Sequence, residues 1–135
     1  MNHCPIKGFQ GTTLIDYPGR IASIIYTGGC NFRCRYCHNR ALLDPAGLDD
    51  IDTEKILRAL QHRRGFIEGV VVTGGEPTIH HGLIELLARV KRAGFAVATT
   101  HFVRSGPSVL RTLRAGALRS TPAIPAPRWR TGACT

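Results

Sequence analysis

Short apolar runs alternate with helix-periodic segments along most of the chain, and this alternation constrains the fold more than any other feature. The runs IASIIY and GVVVT, at 21–26 and 69–73, resemble parallel strands that are covered on both faces. FAVATT, at 95–100, is predicted to be a third strand. Helices are predicted at about 53–63, 79–92 and 107–116. This order predicts an α/β fold of about three βα units, with a parallel sheet and right-handed crossovers.

Local signals indicate where several of these elements begin and end. Asp52 is a suitable N-cap for the first helix, and Gly94 suits the position after the second. Pro18 and Gly19 suit the central positions of a type II turn that follows a short strand within 8–20. The predicted apolar face of the second helix consists of Ile79, Leu83, Leu86, Leu87 and Val90.

Two segments of chemical interest directly follow the first two buried strands. CNFRCRYCHN, at 30–39, follows the strand at 21–26, and GGEP, at 74–77, follows the strand at 69–73. The carboxyl ends of parallel strands meet at one edge of a sheet, and ligands bind at that edge. We therefore expect the two segments to contribute to one site.

The first segment contains three cysteines, Cys30, Cys34 and Cys37, with the spacing C-x3-C-x2-C. Thiolates favour zinc or iron–sulfur clusters. A structural zinc ion takes four ligands, and His38 adjoins Cys37 too closely for both side chains to reach one tetrahedral ion readily. A [4Fe–4S] cluster held by three cysteines leaves one iron open for a substrate or cofactor. The spacing therefore favours a cluster that performs chemistry.

Other interpretations of the cysteines stay open. CRYCH, at 34–38, fits the C-x-x-C-H pattern of c-type haem attachment, which takes place outside the cytoplasm. The start of the chain shows no export signal, and no apolar run approaches the roughly 20 residues of a membrane span. We expect a cytoplasmic protein with reduced thiols. Haem, structural zinc and buried or disulfide-bonded cysteines are the alternatives, and Cys4 and Cys134 receive no role.

With these segments after successive strands, the sequence resembles the radical SAM superfamily. The stretches GFQGTTLIDYPGR, IASIIYTGGC and CNFRCRYCHN are similar to the activating proteins of glycyl-radical enzymes. Among these, the chain most resembles the proteins that activate anaerobic ribonucleoside-triphosphate reductase. The resemblance covers about residues 6–95 and implies a partial (βα) radical SAM barrel.

The resemblance implies a radical SAM oxidoreductase that uses a [4Fe–4S] cluster and S-adenosylmethionine. Reductive cleavage of the cofactor would give methionine and a 5′-deoxyadenosyl radical, which would take a hydrogen atom from a glycine of a partner enzyme. The implied partners are a glycyl-radical enzyme, preferably anaerobic ribonucleoside-triphosphate reductase, and a one-electron reductant such as flavodoxin or ferredoxin. Neither a catalytic side chain nor a membrane partner is expected.

The resemblance also implies roles for residues of the first segment. Cys30, Cys34 and Cys37 would hold the cluster. Tyr36 would lie beside the adenine, and backbone groups around Cys37 and His38 would help to hold the nucleoside.

In the second segment, the resemblance implies contacts with the methionine part of the cofactor. Gly74 and Gly75 lack side chains, so their backbone could approach the methionine ammonium closely. Glu76 would add negative charge near that ammonium, and Pro77 would stiffen the turn.

Four other residues near these segments are predicted to be ordinary. His80 and His81 lie at the start of the predicted second helix, where histidines are more often solvated than ligands. Arg33 and Arg35 could contact the cluster or a partner, but exposed loop charges explain them equally well.

The resemblance weakens after about residue 95. Where the family has a strand with polar residues such as DTNG, this chain has ATTHF at 98–102. Of the 21 residues in 115–135, 17 are Ala, Arg, Pro, Gly, Thr or Ser. A GC-rich gene that is translated in a shifted reading frame encodes such a composition. We therefore expect a truncated or frameshifted family member, with an incomplete radical SAM core at 1–118 and an irregular, disordered basic tail at 119–135.

The excess positive charge lies in the last fifty residues. Up to and including Glu85 there are nine Lys or Arg and nine Asp or Glu, and beyond it nine basic residues and no acidic one. A basic tail is typical of nucleic-acid binding, but shifted-frame arginine codons account for it without such a partner, so nucleic acid is not expected. The competing functions are a non-catalytic iron–sulfur or zinc-binding remnant and a nucleic-acid-binding protein with an incidental metal site.

Overall fold

Within the residues that the structure describes, the centre of the fold is a five-stranded sheet whose strands lie side by side in chain order. The structure is a computed structural model, and it describes residues 3–100 and 111–113. Its strands are β1 (Ile6–Thr13), β2 (Ala22–Thr27), β3 (Gly69–Gly74), β4 (Ala96–Thr99) and β5 (Arg111–Leu113). β2, β3 and β4 are parallel, whereas β1 and β5 run antiparallel to their neighbours. The predicted α/β class and the parallel centre of the sheet are confirmed.

Two α-helices connect the parallel strands. α1 (Thr53–His62) lies between β2 and β3, and α2 (Leu83–Arg92) lies between β3 and β4. Asp52 caps α1 as predicted, because its carboxylate accepts a hydrogen bond of 3.0 Å from the backbone N–H of Glu54. Within the part of the chain that the structure describes, no helix is long and apolar enough to cross a membrane.

The main hydrophobic core lies between the two helices and one face of the sheet. It joins Leu60 of α1 and Val90 of α2 to Val70 and Val72 of β3, and all four side chains are buried. Val71 points to the opposite face, where a second cluster consists of Tyr17, Ala22, Val71 and Ala98. β3 is therefore covered on both faces, which explains its uninterrupted apolar sequence.

Two predicted glycine positions have the left-handed backbone that favours this residue. Gly19 has a φ of 72°, as the second central residue of a type II turn requires. Gly94 has a φ of 95° just after α2, where it ends the helix. Both turn predictions are confirmed.

Two predicted helices differ from the structure. The second begins at Leu83 and not at about residue 79, because Pro77–Ile79 forms a separate 3-10 turn and His80 is extended. The third, predicted at 107–116, is wrong at 111–113, where β5 pairs with the edge of β4. Pairing with an open strand edge outweighs the local helical pattern there. The rest of that predicted helix, the tail at 119–135 and Cys134 lie outside the described residues.

Candidate cluster and cofactor site

The cysteine segment and the GGEP turn meet at the carboxyl ends of β2 and β3. Thr27 and Gly74, the last residues of these strands, are partners in the parallel register. The backbone N–H of Gly75 donates to the carbonyl oxygen of Thr27 at 3.0 Å, and that of Glu76 donates to the carbonyl oxygen of Gly29 at 3.0 Å. The GGEP turn is therefore hydrogen-bonded to the residues that lead from β2 into the cysteine segment, at the sheet edge where the predicted strand order placed both segments.

The glycines of the GGEP turn allow this close crossing. A Cβ on Gly74 would lie 2.3 Å from the carbonyl oxygen of Thr27, and the φ of Gly74 is 124°. A Cβ on Gly75 would lie 2.0 Å from the carbonyl oxygen of Gly29. Both positions therefore require glycine because a side chain would collide with the protein's own backbone. This requirement is independent of any cofactor.

The three cysteines of the first segment are half-buried on one loop, and the described residues contain no disulfide that involves them. The backbone N–H of Phe32 donates to the sulfur of Cys30 at 3.3 Å. The backbone N–H of Cys37 donates to the carbonyl oxygen of Cys34 at 3.2 Å, which closes a turn between these two cysteines. Amide hydrogen bonds to cysteine sulfur are among the contacts that tune iron–sulfur clusters, so this donor set fits such a cluster.

Among residues 3–100, no three His, Cys, Asp or Glu side chains converge on one position that could hold a metal ion. A structural zinc ion needs such convergence, because all its ligands bind one atom at about 2.0–2.3 Å. A cluster distributes its thiolates over several iron atoms, so its ligands lie further apart.

Glu76 and Pro77 are both buried in the turn that follows β3. Glu76 is only 3% exposed. Its carboxylate accepts hydrogen bonds from the backbone N–H of Thr78 at 3.2 Å and from the Thr78 hydroxyl at 2.5 Å. Glu76 thus caps the 3-10 turn that begins at Pro77, a structural role that was not predicted from the sequence.

The remaining predicted residues of the first segment are exposed. Tyr36 is 61% exposed, and His38 is also at the surface. Arg33 and Arg35 are exposed as predicted. Arg33 also supports the loop, because its guanidinium donates to the carbonyl oxygens of Cys30 and Phe32 at 2.8 and 2.9 Å.

A group of threonines at the strand ends was not predicted from the sequence. The Thr27 hydroxyl donates to the carbonyl oxygen of Thr73 at 3.1 Å. The Thr100 hydroxyl forms a separate hydrogen bond of 2.6 Å with the side-chain hydroxyl of Thr73. Thr27, Thr73 and Thr100 end or directly follow the apolar runs of β2, β3 and β4. A hydroxyl residue at the end of each apolar run was the sequence signal that could have identified them.

Cys4 lies in the main core, where burial raises the pKa of its thiol from 9.0 to about 11. At pH 8 it should carry roughly a hundredfold less thiolate than an ordinary thiol. We expect iodoacetamide to alkylate Cys30, Cys34 and Cys37 of the cluster-free folded chain well before Cys4, as measured by peptide mass spectrometry. Unfolding in guanidinium should abolish the difference, and equal rates in the folded chain would contradict the assignment of Cys4 to the core.

Comparisons with known proteins concern the family of this chain. Residues 24–120 match the Radical SAM superfamily. Pyruvate formate-lyase 1-activating enzyme of Escherichia coli is 30% identical over 115 residues, which are 80% of this chain and 46% of that protein. A Methanocaldococcus jannaschii protein that carries the name of a glycyl-radical enzyme activating enzyme, MJ1227, is 29% identical over 106 residues, or 68% and 38% of the two chains. The chain therefore spans less than half the length of these relatives.

The fold also resembles a solved structure. QueE from Escherichia coli superposes with a TM-score of 0.56 at 23% identity, over 76% of this chain and 56% of that one. This similarity concerns the fold alone, and it agrees with the predicted partial (βα) barrel. Members of the matched superfamily use a [4Fe–4S] cluster and S-adenosylmethionine, which are the cofactors predicted from the sequence. The match over most of the chain shows that this protein belongs to the radical SAM superfamily.

Proposed function

We propose that this chain is the core of a glycyl-radical-enzyme activating enzyme. The observation that carries the proposal is the junction at the ends of β2 and β3. There, a loop with three half-buried cysteines is hydrogen-bonded to a glycine-rich turn. Relatives from two organisms carry the names of activating enzymes, which favours this branch of the superfamily.

In this proposal, Cys30, Cys34 and Cys37 hold the cluster, and the hydrogen bond from Phe32 N–H stabilises the negative charge on the sulfur of Cys30. When bound, the cluster and S-adenosylmethionine supply a 5′-deoxyadenosyl radical that can take a hydrogen atom from a glycine. Tyr36 is available from the surface to cover an adenine ring. Backbone groups around Cys37 and His38 bind the nucleoside.

In the same proposal, the GGEP turn lines the cofactor site at the methionine end. Gly74 and Gly75 present backbone without side chains to the methionine end of the cofactor. Glu76 holds the turn in place through Thr78 and adds negative charge below that end. Pro77, which is buried, fixes the first residue of the 3-10 turn. These residues therefore orient the cofactor and leave the chemistry to it.

The proposed protein partner is a glycyl-radical enzyme, and we prefer anaerobic ribonucleoside-triphosphate reductase. This preference rests on the stretches GFQGTTLIDYPGR and CNFRCRYCHN, which resemble its activating proteins. The first stretch covers most of β1 and the turn that follows it. It therefore lies beside the parallel strands and not on the cysteine loop.

The proposed electron donor is an acidic one-electron carrier such as flavodoxin or ferredoxin. Between residues 30 and 43 the chain has three arginines, Arg33, Arg35 and Arg40, and no acidic residue. All three are exposed on the loop that contains the cysteines. A basic surface around the electron-accepting group would attract an acidic donor and orient it.

We place the protein in the cytoplasm as part of the same proposal. Three half-buried cysteines on one loop stay available as cluster ligands only where thiols are kept reduced. An oxidising compartment would favour disulfides among them.

Glycyl-radical formation on the partner tests the proposal. The full chain is reconstituted anaerobically with iron and sulfide, reduced, and mixed with S-adenosylmethionine and anaerobic ribonucleoside-triphosphate reductase. We expect the EPR doublet of a glycyl radical on the reductase, and no doublet when its radical glycine is replaced by alanine. Formation of 5′-deoxyadenosine without the doublet would reject this partner. Formation of neither would favour a non-catalytic iron–sulfur remnant.

A further inference from the structure

His80 differs from its neighbour His81 in both exposure and contacts. The Nε2 atom of His80 lies 2.7 Å from the carbonyl oxygen of Gly28. Because a carbonyl oxygen only accepts hydrogen bonds, Nε2 is the donor. His80 is half-buried, whereas His81 is exposed and has no hydrogen bond among the side-chain contacts of residues 3–100. The expectation that both would be ordinary solvated residues is therefore wrong for His80.

The His80 contact reaches the base of the cysteine loop. Gly28 and Gly29 join β2 to Cys30, and the ring of His80 also lies against Gly29, where a Cβ would be 3.5 Å from its Cε1 atom. Gly29 has a φ of 88°. Glycines on both sides of the junction allow the backbone many conformations, because glycine restricts φ and ψ least. A side-chain hydrogen bond at this point would compensate for that freedom.

The bond from His80 adds to two backbone bonds across the same junction. The backbone N–H of Gly75 donates to the carbonyl oxygen of Thr27, and that of Glu76 donates to the carbonyl oxygen of Gly29. With the bond from His80 to Gly28, each of the three successive carbonyl oxygens from 27 to 29 accepts one hydrogen bond. The three donors come from the turn that follows β3, and the three acceptors lead directly into Cys30. This places His80 where it can set the position of Cys30 relative to the GGEP turn.

We propose that His80 is a positioning residue that fastens the cysteine loop to the GGEP turn and thereby fixes the position of the first cluster ligand. The relevance of this role to catalysis rests on the proposed function. The fastening itself concerns only residues of this chain, so it is measurable without a cluster or a cofactor.

Amide hydrogen exchange in the cluster-free full chain tests the proposal directly. The amide of Glu76 donates across the junction, so its exchange reports separation of the loop from the turn. His80→Ala should speed exchange at Glu76 about fivefold, the effect of losing one net hydrogen bond. His80→Gln should restore slow exchange, since its amide nitrogen can donate from a similar position. His81→Ala is the matched control and should leave exchange at Glu76 unchanged.

A second readout follows the cluster. After reconstitution, His80→Ala should shift the g values of the reduced cluster, while His80→Gln and His81→Ala should match the parent chain. Unchanged exchange at Glu76 in His80→Ala would overturn the proposal. An equal acceleration at core amides such as that of Ile56 would also overturn it, because His80 would then act on global stability. Because exchange needs no cluster, failure of the proposed function would leave the exchange result intact.

Discussion

Gly75→Ala is expected to lower the stability of the folded chain by about 3 kcal/mol. The new Cβ would lie 2.0 Å from the carbonyl oxygen of Gly29 and 2.7 Å from its carbonyl carbon. These are backbone atoms, so the cysteine loop and the turn must separate, and the bond from Glu76 N–H to Gly29 weakens or breaks. Thermal unfolding followed by circular dichroism should show a midpoint about 10 °C lower or more.

Gly47→Ala is the matched control for this substitution. Gly47 lies in the 3-10 turn Pro45–Gly47, its φ is not positive, and a Cβ there would meet no atom within 4 Å. We expect a midpoint within a few degrees of the parent chain, as for most surface substitutions. If Gly75→Ala unfolded at the same temperature as Gly47→Ala, the crossing of loop and turn would not have the geometry described above.

Cys34→Ala is expected to prevent formation of the cluster. A cluster held by three protein ligands needs all of them. Even mutation of a residue that only hydrogen-bonds to a metal ligand typically weakens metal binding about 10- to 100-fold. Iron and sulfide content after anaerobic reconstitution should fall to background, together with the visible absorption of the cluster. The same result is expected for Cys30→Ala and Cys37→Ala.

Cys4→Ala separates this effect from a general loss of thiols. Cys4 lies in the main core, and removing its sulfur should cost some stability but leave iron binding intact. A cluster that survives in Cys34→Ala, or disappears equally in Cys4→Ala, would contradict the assignment of the three ligands.

The sequence was sufficient to predict the parallel centre of the fold and the approach of the cysteine loop to the GGEP turn. β3 is apolar throughout because Val70 and Val72 face the helices and Val71 faces the second cluster. The N-cap at Asp52 and the turn at Gly19 are local features with known residue preferences, so they were readable without the structure.

The features that the sequence could not predict depend on contacts between distant segments. β5 forms where Arg111–Leu113 meets the edge of β4, although its local pattern is helical. The roles of Gly75 and His80 depend on the place where the turn after β3 crosses the loop after β2. Glycine and histidine have many uses in loops, so their identity alone does not reveal that crossing. The cluster ligands were proposed from spacing and resemblance, and their assignment stays a prediction.

EPR of the reconstituted, dithionite-reduced full chain, with and without S-adenosylmethionine, shows whether this chain builds a radical SAM site. We expect a [4Fe–4S]⁺ signal whose g values change when the cofactor is added, because three cysteine ligands leave one iron open to it. A cluster signal that is indifferent to the cofactor, or the absence of a cluster, would contradict the claim that this chain builds a radical SAM site.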